Sequence, residues 1–308
     1  MVEEVLEFDV IIAGGGPAGL SALLWCKELG LKAILLEKES QPGGQLPLIH
    51  NAIRNYLGAQ ADNGRDLRDT FLRQIENSGI QWLNGAEIVK ANLVEKSLTL
   101  ANGEVYTGRA IFIATGVRRR KLRVPGEDEF YGKGILESGA NALNEVRGRD
   151  VLIVGGGDAA LENALILSET AEKVIVVHRR NEFKARREFI DKAKRSDNIE
   201  FIFNAEVLAI NGDQGVENVE IRHLSSEDRS RIAADRVLIR IGVEPNSDIF
   251  LGQITHDDAG YIQIDAKCET SLNGVFAGGD VADPTAPTIS SAVGHGAIAA
   301  KAILKGFS

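Results

Sequence analysis

Short apolar segments alternate along the chain with glycine-rich turns and with stretches that have helical spacing. Near the start, residues 8–13 are apolar and rich in β-formers, the turn of residues 14–19 follows directly, and residues 20–28 have the spacing of a helix. The next apolar segment, residues 33–36, ends at Glu37. Because this order places two strands around one helix, the pattern predicts a β-α-β unit with parallel strands.

The same order recurs in the middle of the chain. Residues 151–154 are apolar, the turn of residues 155–160 follows, residues 161–167 have helical spacing, and residues 174–177 form the next apolar segment. Two such units predict an α/β protein with two Rossmann-like dinucleotide-binding domains.

Further strands and turns are predicted outside these two units. A turn-rich connection at residues 242–246 is suited to a crossing between domains, and a helix of small residues is predicted at residues 290–304. The other predicted strands cover residues 98–100, 110–113, 199–203, 216–223 and 236–241.

Gly14, Gly16 and Gly19 form a GxGxxG pattern between a predicted strand and a predicted helix. In a dinucleotide-binding unit the first glycine permits a tight turn, the second lets the backbone approach a pyrophosphate, and the third lets the helix pack closely. The helix N-terminus also offers free N–H groups to phosphate oxygens. Glu37, at the tip of the next strand, is placed to accept hydrogen bonds from ribose hydroxyl groups. A simple glycine-rich turn would explain the glycines but not their position between a strand and a helix.

The second unit repeats this arrangement with alanine as its third residue, GxGxxA. The tip of its next strand is basic, because it reads His178-Arg179-Arg180 with Lys184 close behind. A guanidinium group pairs with phosphate oxygens where a carboxylate would repel them, so this tip favours NADPH over NADH. The alternative is a solvent-exposed run of charge at the start of a helix, which would also include Arg186 and Arg187.

A series of short motifs follows one another over nearly the whole chain. The motifs are GGGPAG, Gly43-Gly44-Gln45-Leu46, Asn55-Tyr56-Leu57-Gly58, Ala114-Thr115-Gly116, Val124-Pro125-Gly126-Glu127, GGGDAALENAL, HRRNEF and VFAGGDVAD. In this order they resemble the motifs of the low-molecular-weight thioredoxin reductases. The resemblance implies an FAD-binding domain made of residues 1–117 and 246–308, with an NAD(P)-binding domain of residues 118–245 inserted into it. It also implies FAD-dependent NAD(P)H oxidoreductase activity and a homodimer.

The resemblance further assigns contacts to both cofactors. For FAD it implies Gly14, Gly16, Pro17, Ala18, Gly19, Glu37, Lys38, Gly44, Gln45, Leu46, Asn55, Ala114, Thr115, Gly116, Gly279, Asp280, Thr288 and Ile289. For NADPH it implies Gly155, Gly157, Asp158, Ala159, Ala160, His178, Arg179, Arg180 and Lys184.

The resemblance fails where that family passes electrons from the flavin towards thioredoxin. The family's CxxC precedes the second glycine motif, and an ungapped count back from Gly155 places Ser138 and Asn141 at its two cysteine positions. The chain's two cysteines, Cys26 and Cys268, belong to no CxxC or metal-binding pattern. Because a serine hydroxyl has no disulfide chemistry, we expect the usual relay to be absent and both cysteines to serve as small apolar residues. No catalytic residue is assigned.

Composition narrows the function classes further. The chain has 308 residues, of which 44% are hydrophobic, enough for two ordinary domains. A formal net charge of −9 argues against a general affinity for nucleic acid or anionic membrane. The first apolar segment ends at Gly14, too early to span a bilayer or to act as a signal peptide, so we expect a cytoplasmic protein.

These observations favour an enzyme in which NADPH reduces FAD and the flavin reduces an acceptor other than thioredoxin. Ferredoxin, flavodoxin, a quinone or a small oxidant would each fit as the acceptor. One alternative is a relative that works without a pyridine nucleotide, either linked to ferredoxin or holding a second flavin. Another is a flavin-binding sensor without steady turnover, since a fold alone does not guarantee activity.

Overall fold

The computed structural model describes residues 6–77, 80 and 82–307, and these form two compact units. Unit 1 comprises the chain up to Arg118 and again from Glu244 onward. Unit 2 is the continuous segment Arg119–Val243. Unit 1 is therefore assembled from both ends of the chain.

The helices and strands are numbered in chain order. The α-helices are α1 (Pro17–Glu28), α2 (Gly64–Asn77), α3 (Asp158–Ser168), α4 (Arg187–Ala193) and α5 (Ile289–Phe307). The strands are β1 (Leu6–Ala13), β2 (Ala33–Leu36), β3 (Ile88–Asn92), β4 (Ser97–Leu100), β5 (Val105–Ile113), β6 (Val117–Arg119), β7 (Ile135–Leu136), β8 (Asp150–Val154), β9 (Lys173–His178), β10 (Ile199–Phe203), β11 (Ala205–Gly212), β12 (Val216–His223), β13 (Arg229–Ala233), β14 (Arg236–Ile239), β15 (Val243–Pro245) and β16 (Val275–Ala277).

Unit 1 is built on a sheet with the order β2-β1-β5-β4-β3, in which β16 also pairs with β5. β1 lies parallel to β2 and β5, and its residues Val10 to Ala13 are fully buried. Continuous burial is expected of a parallel strand that is covered on both faces, which explains why this segment is apolar throughout. Residues of α1 and α5 form a common core with Val10 and Ile12 on one of these faces.

Unit 2 contains a parallel sheet with the order β10-β9-β8-β14-β7. The apolar residues of α3 pack against β8 and β9. A separate antiparallel sheet has the order β11-β12-β13. The β-α-β order in both units confirms the predicted α/β class. In the described part of the chain, no helix is long and apolar enough to cross a membrane.

Several element boundaries differ from those predicted from the sequence. α1 and α3 begin at Pro17 and Asp158, three residues before their predicted starts, because the last residues of each glycine turn already belong to the helix. The predicted strand over residues 236–241 ends at Ile239. Two helices were missed: α2 and α4.

Candidate functional site

The three motif glycines of the turn between β1 and α1 have different surroundings. Gly14 has a φ of 103°, and a Cβ there would lie 2.5 Å from the carbonyl oxygen of Ala114. A Cβ on Gly19 would lie 1.9 Å from the carbonyl oxygen of Gly14. At Gly16 the nearest atom is the Cα of Gly44, at 3.9 Å. Packing therefore requires Gly14 and Gly19 to be glycine, whereas Gly16 faces open space.

That open space lies at the start of α1. Gly16 is the N-cap residue of this helix and provides no side-chain hydrogen bond. The first N–H groups of a helix have no intrahelical acceptor, and they carry the positive end of the helix dipole. The turn is thus a cradle that a Cβ would fill, and its chemistry suits a phosphate.

Glu37 is held against this turn from the end of β2. Its side chain is 6% exposed, its Oε2 accepts a hydrogen bond from Gly15 N at 2.8 Å, and its Oε1 accepts one from Glu39 N at 2.8 Å. The carboxylate therefore fixes the shape of the turn. The sequence predicted a contact with ribose, which remains a prediction.

Gly279 and Asp280 lie beside the first turn of α1. A Cβ on Gly279 would lie 3.0 Å from the Cβ of Ala18, and Gly279 N donates a hydrogen bond to Nδ1 of His295 at 3.1 Å. Among the described residues, the carboxylate of Asp280 has no hydrogen-bond or ionic partner. Burial, with a smaller contribution from the charge of Asp283, raises the pKa of Asp280 above its usual range. A half-buried, unpartnered carboxylate is a group that a bound ligand would satisfy.

The remaining residues implied for FAD differ in their surroundings. Thr115 and Asn246 exchange side-chain hydrogen bonds with each other's carbonyl oxygens, at 2.6 and 2.8 Å, just after β5. Gln45 Nε2 donates to the carbonyl of Val117 at 2.7 Å, and Leu46 is buried. In contrast, Lys38, Asn55 and Thr288 are exposed.

The glycine turn of unit 2 has the same construction. Gly155 has a φ of 149°, and a Cβ there would lie 2.2 Å from the carbonyl oxygen of Arg240. Ala160 is fully buried. No atom would lie within 4 Å of a Cβ on Gly157, which is the N-cap residue of α3. This turn also leaves open space at a helix N-terminus.

The basic run after β9 divides into two pairs of arginines. At the start of α4, Arg186 pairs with Asp158 at 3.0 Å, and Arg187 lies 3.8 Å from Asp191. Arg179 and Arg180 are exposed, and within the described ranges neither side chain has a carboxylate partner. The alternative interpretation, an exposed run of charge at the start of a helix, therefore applies to Arg186 and Arg187 but not to Arg179 and Arg180.

His178 lies beneath the second glycine turn, a position that the sequence did not indicate. A Cβ on Gly156 would lie 2.4 Å from the Cε1 and Nδ1 atoms of its imidazole. The ring stacks on Phe183 with 5.8 Å between centroids, and its buried Nε2 has no partner. Burial and the charges of Arg180 and Arg179 lower the pKa of His178. The imidazole is therefore favoured in its neutral form, and it supports the turn from below.

The other residues implied for NADPH lie around the same turn. The carboxylate of Asp158 accepts hydrogen bonds from N and Nε of Arg186, at 2.6 and 3.0 Å, so this side chain is already engaged. Lys184 N donates to the carbonyl of Gly156 at 2.8 Å, and this bond holds the loop after β9 against the turn. The side chain of Lys184 is exposed. Ala159 is exposed on the first turn of α3.

The segment that contains Ser138 and Asn141, the residues predicted to occupy the family's CxxC positions, is held by α3. Between Ser138 and Asn141, Gly139 N donates to Oδ1 of Asn163 at 3.1 Å. Asn163 in turn donates from Nδ2 to the carbonyl of Ala159 at 2.6 Å. These bonds hold a segment that carries no thiol.

Both cysteines lie in the core of unit 1 and away from exposed surface. Cys26 is 0% exposed and Cys268 is 2% exposed. Burial, with a smaller contribution from Asp9, raises the pKa of Cys26 to about 12. Burial, together with Asp265, raises that of Cys268 to about 11. Since the thiolate is the reactive form, neither residue has the surroundings of a redox-active thiol.

Comparison with known proteins gives concordant matches. The family described as "Pyridine nucleotide-disulphide oxidoreductase" matches residues 8–296. A thioredoxin reductase of Listeria monocytogenes is 35% identical over 97% of this chain and 93% of its own length. A protein described as "34.2 kDa protein in rubredoxin operon", from Clostridium pasteurianum, is 30% identical over 97% of each chain. The crystal structure of Lactococcus lactis thioredoxin reductase in its FR conformation aligns with a TM-score of 0.84, 29% identity, and coverage of 97% of this chain and 98% of that chain.

Proposed function

The chain belongs to the pyridine nucleotide-disulphide oxidoreductase family, among the low-molecular-weight thioredoxin reductases, and we propose that it passes electrons from NADPH through FAD to an acceptor other than thioredoxin. Its class is that of an FAD-dependent NAD(P)H oxidoreductase, and this family uses FAD and NADPH. Those two cofactors supply the hydride and electron transfer when they are bound, while the protein supplies binding and orientation. The acceptor, the homodimer and the cytoplasmic location are proposals.

In this proposal unit 1 holds FAD. The open space at Gly16 and the N-terminus of α1 would receive the pyrophosphate, and Glu37 would face the adenosine ribose from the tip of β2. Asp280, which lacks a partner among the described residues, would accept hydrogen bonds from hydroxyl groups of the cofactor. The fit rests on that open cradle and that unpartnered carboxylate.

Unit 2 holds NADPH in the same way. Gly157 and the N-terminus of α3 would receive the pyrophosphate, and Arg179 and Arg180 would bind the 2′-phosphate. His178 supports the turn from beneath Gly156, so its role is to position the backbone that faces the pyrophosphate.

The choice of acceptor rests on the absence of an accessible pair of thiols. An ungapped count from Gly155 assigns Ser138 and Asn141 to the family's CxxC positions, and the only two cysteines, Cys26 and Cys268, are buried with raised pKa values. Thioredoxin reduction by disulfide exchange needs an accessible thiolate. An acceptor that takes electrons directly from the flavin, such as ferredoxin, flavodoxin, a quinone or a small oxidant, meets this constraint.

An anaerobic titration with NADPH, followed by the visible absorbance of the flavin, tests the proposal. The matched variant Cys26→Ala, Cys268→Ala removes every thiol. We expect NADPH to bleach the flavin in the parent and in this variant alike, and both to reduce a small oxidant at similar rates. Neither should reduce thioredoxin.

Three results would overturn the proposal. If the thiol-free variant binds FAD but no longer passes electrons to the oxidant, a thiol lies on the route. If dithionite bleaches the flavin and NADPH does not, the nucleotide-independent alternative replaces the proposed function. Normal bleaching without turnover with any acceptor would favour a flavin-binding sensor.

A further inference from the structure

Arg240 is a buried cation of unit 2, and no anionic partner for it lies in the described part of the chain. It follows β14, and its side chain is 8% exposed. Its Nη1 donates to the carbonyl of Ile239 at 2.9 Å, and its Nη2 donates to the carbonyl of Glu137 at 3.1 Å. A guanidinium has five N–H donors, and in the described part of the chain no carboxylate accepts from any of them. Buried charges are ordinarily paired, because removing them from water is costly.

A second guanidinium increases this unbalanced charge. Arg119 precedes Arg120, whose backbone N–H donates to the carbonyl of Gly242 at 3.0 Å, so Arg119 lies beside the segment that contains Arg240. Burial, with a smaller contribution from the charge of Arg119, lowers the pKa of Arg240 to about 10. Arg119 has no ion pair in the described ranges. Its neighbour Arg118, in contrast, pairs with Glu244 at 2.9 Å and with Asp248 at 2.7 Å. Carboxylates therefore pair with Arg118, whereas none of the described carboxylates pairs with Arg119.

The position of Arg240 in the sheet is that of a ligand-binding residue. The strands β9, β8, β14 and β7 are consecutive and parallel, so their carboxyl ends meet at one edge. In such sheets ligands bind outside the carboxyl ends. Arg179 and Arg180 follow β9, and the GxGxxA turn follows β8. Arg240 follows β14, on the other side of that turn.

We propose that Arg240 and Arg119 form an oxyanion site at the carboxyl end of β14, which binds a carboxylate or phosphate group of a small-molecule ligand. The site goes beyond the proposed function, because it would add an anionic ligand group to a region where the family resemblance assigns none. It is also separate from the 2′-phosphate site, which the tip of β9 accounts for.

The hydrogen bonds of Arg240 do not explain why this buried residue carries a positive charge. Its two carbonyl contacts need only N–H donors, which a neutral amide side chain also has. Two guanidinium groups near one another repel, and an oxyanion between them would reverse that cost. The planar guanidinium also matches the two oxygens of a carboxylate or phosphate.

Binding of two anionic probes to the FAD-loaded protein tests the site. Inorganic pyrophosphate and citrate would be titrated calorimetrically into the parent, Arg240→Met and Arg119→Gln. Arg120→Gln is the matched control, since Arg120 adjoins Arg119, is exposed, and donates from Nε to the carbonyl of Val243. We expect the dissociation constant of at least one probe to rise about tenfold in both site variants, and to stay unchanged in the control.

The same variants distinguish two sources of the anion. A weaker affinity for NADPH in Arg240→Met, with unchanged affinity for 2′,5′-ADP, would identify the oxyanion as the diphosphate already assigned to the glycine turn, and would overturn the proposal of an additional site. Unchanged NADPH affinity with weaker citrate binding would identify a separate ligand.

Thermal unfolding separates ligand binding from a structural role. Removing an unbalanced buried charge should leave the melting temperature of Arg240→Met unchanged or raise it. The proposal is overturned if the site variants bind both probes and NADPH as the parent does. The proposal is also overturned if Arg240→Met unfolds at a lower temperature than the parent while Arg119→Gln, at an exposed residue, binds both probes normally.

Discussion

Gly16 and Gly19 belong to the same turn but have different roles, which substitution can separate. Gly16 has a φ of −71° and only Gly44 nearby, so Gly16→Ala should leave the stability of the FAD-free protein unchanged while an added methyl group fills the cradle. We expect FAD binding to weaken about tenfold or more. Flavin fluorescence titration of the apoprotein measures this effect.

Gly19→Ala is the matched comparison. Its Cβ would meet the carbonyl oxygen of Gly14 at 1.9 Å, so the apoprotein itself should be destabilised by about 1–3 kcal/mol. Denaturant unfolding of the two apoproteins should show a lower midpoint for Gly19→Ala alone. Equal stability of the two variants, or normal flavin binding by Gly16→Ala, would contradict the assigned roles.

Arg179 and Arg180 are expected to set the preference for NADPH. Arg179→Ala and Arg180→Ala should each raise the dissociation constant for NADPH about tenfold, because a charge-assisted hydrogen bond contributes about 1.5 kcal/mol or more. Binding of NADH should hardly change. The difference should shrink at higher salt, since both guanidinium groups are exposed.

Arg187→Ala is the control for this pair. It removes the same charge from the same basic run, but its guanidinium faces Asp191 on α4. NADPH affinity should therefore stay near that of the parent. If Arg187→Ala weakens NADPH binding as much as Arg179→Ala does, the effect is one of general charge, and the assignment to the strand tip is wrong.

The sequence predicted the two glycine turns and the change from a negative charge at Glu37 to a positive charge at the tip of the second strand. It did not predict that Glu37 accepts from two backbone N–H groups, or that His178 lies under Gly156. The sequence also did not indicate that Arg240 is buried, because an arginine just after a strand is ordinarily exposed. Its importance arises because the structure buries it beside Glu137, more than 100 positions earlier in the chain.

At the scale of elements, the apolar and alternating segments predicted several strands closely. The strands missed were β3, β6, β7, β11, β13, β15 and β16. The bounds of β2, β10 and β12 coincide with the predicted segments, since each is a compact apolar or alternating run between turns. α2 was missed although Leu67, Phe71 and Ile75 recur at intervals of four residues, as on one face of a helix. Its many charged residues mask that spacing, because the helix lies at the surface.

The start of α5 supplies a prediction at the same scale. Thr288 caps this helix: its Oγ1 accepts from Ser291 N at 3.1 Å, and Ser291 Oγ accepts from Thr288 N at 3.3 Å. Thr288→Ala should therefore lower the free energy of unfolding of the apoprotein by about 1 kcal/mol. Ser290→Ala is the control, because Ser290 is exposed and makes no such bond with any residue that the structure describes. Equal urea midpoints for the two variants would argue against the cap.

For the whole molecule, the missing thiol pair should appear in the number of electrons that the protein accepts. Anaerobic reduction with dithionite should consume one two-electron equivalent per FAD, because the flavin is the only redox group. A dithiol relay would consume a second equivalent. Detection of that second equivalent in the parent would contradict the absence of a redox-active thiol pair.

The double variant Ser138→Cys, Asn141→Cys is the complementary control. It restores the CxxC at the positions that the motif order identifies. We expect this variant, once oxidised, to take up the second equivalent that the parent lacks. Failure to do so would show that the two positions are not equivalent to the family's cysteines.

The split construction of unit 1 also has consequences during synthesis on the ribosome. Unit 2 is one continuous segment, so its strands can pair as soon as it has left the exit tunnel. Unit 1 must wait, since β16 pairs with β5 and Gly296 of α5 lies against Ala18 of α1. At about 5–20 residues per second, the N-terminal β-α-β unit stays without its closing helix for many seconds. Gly279 and Asp280 lie in the second segment of unit 1, so a nascent chain would acquire its flavin only after all of unit 2 has been made.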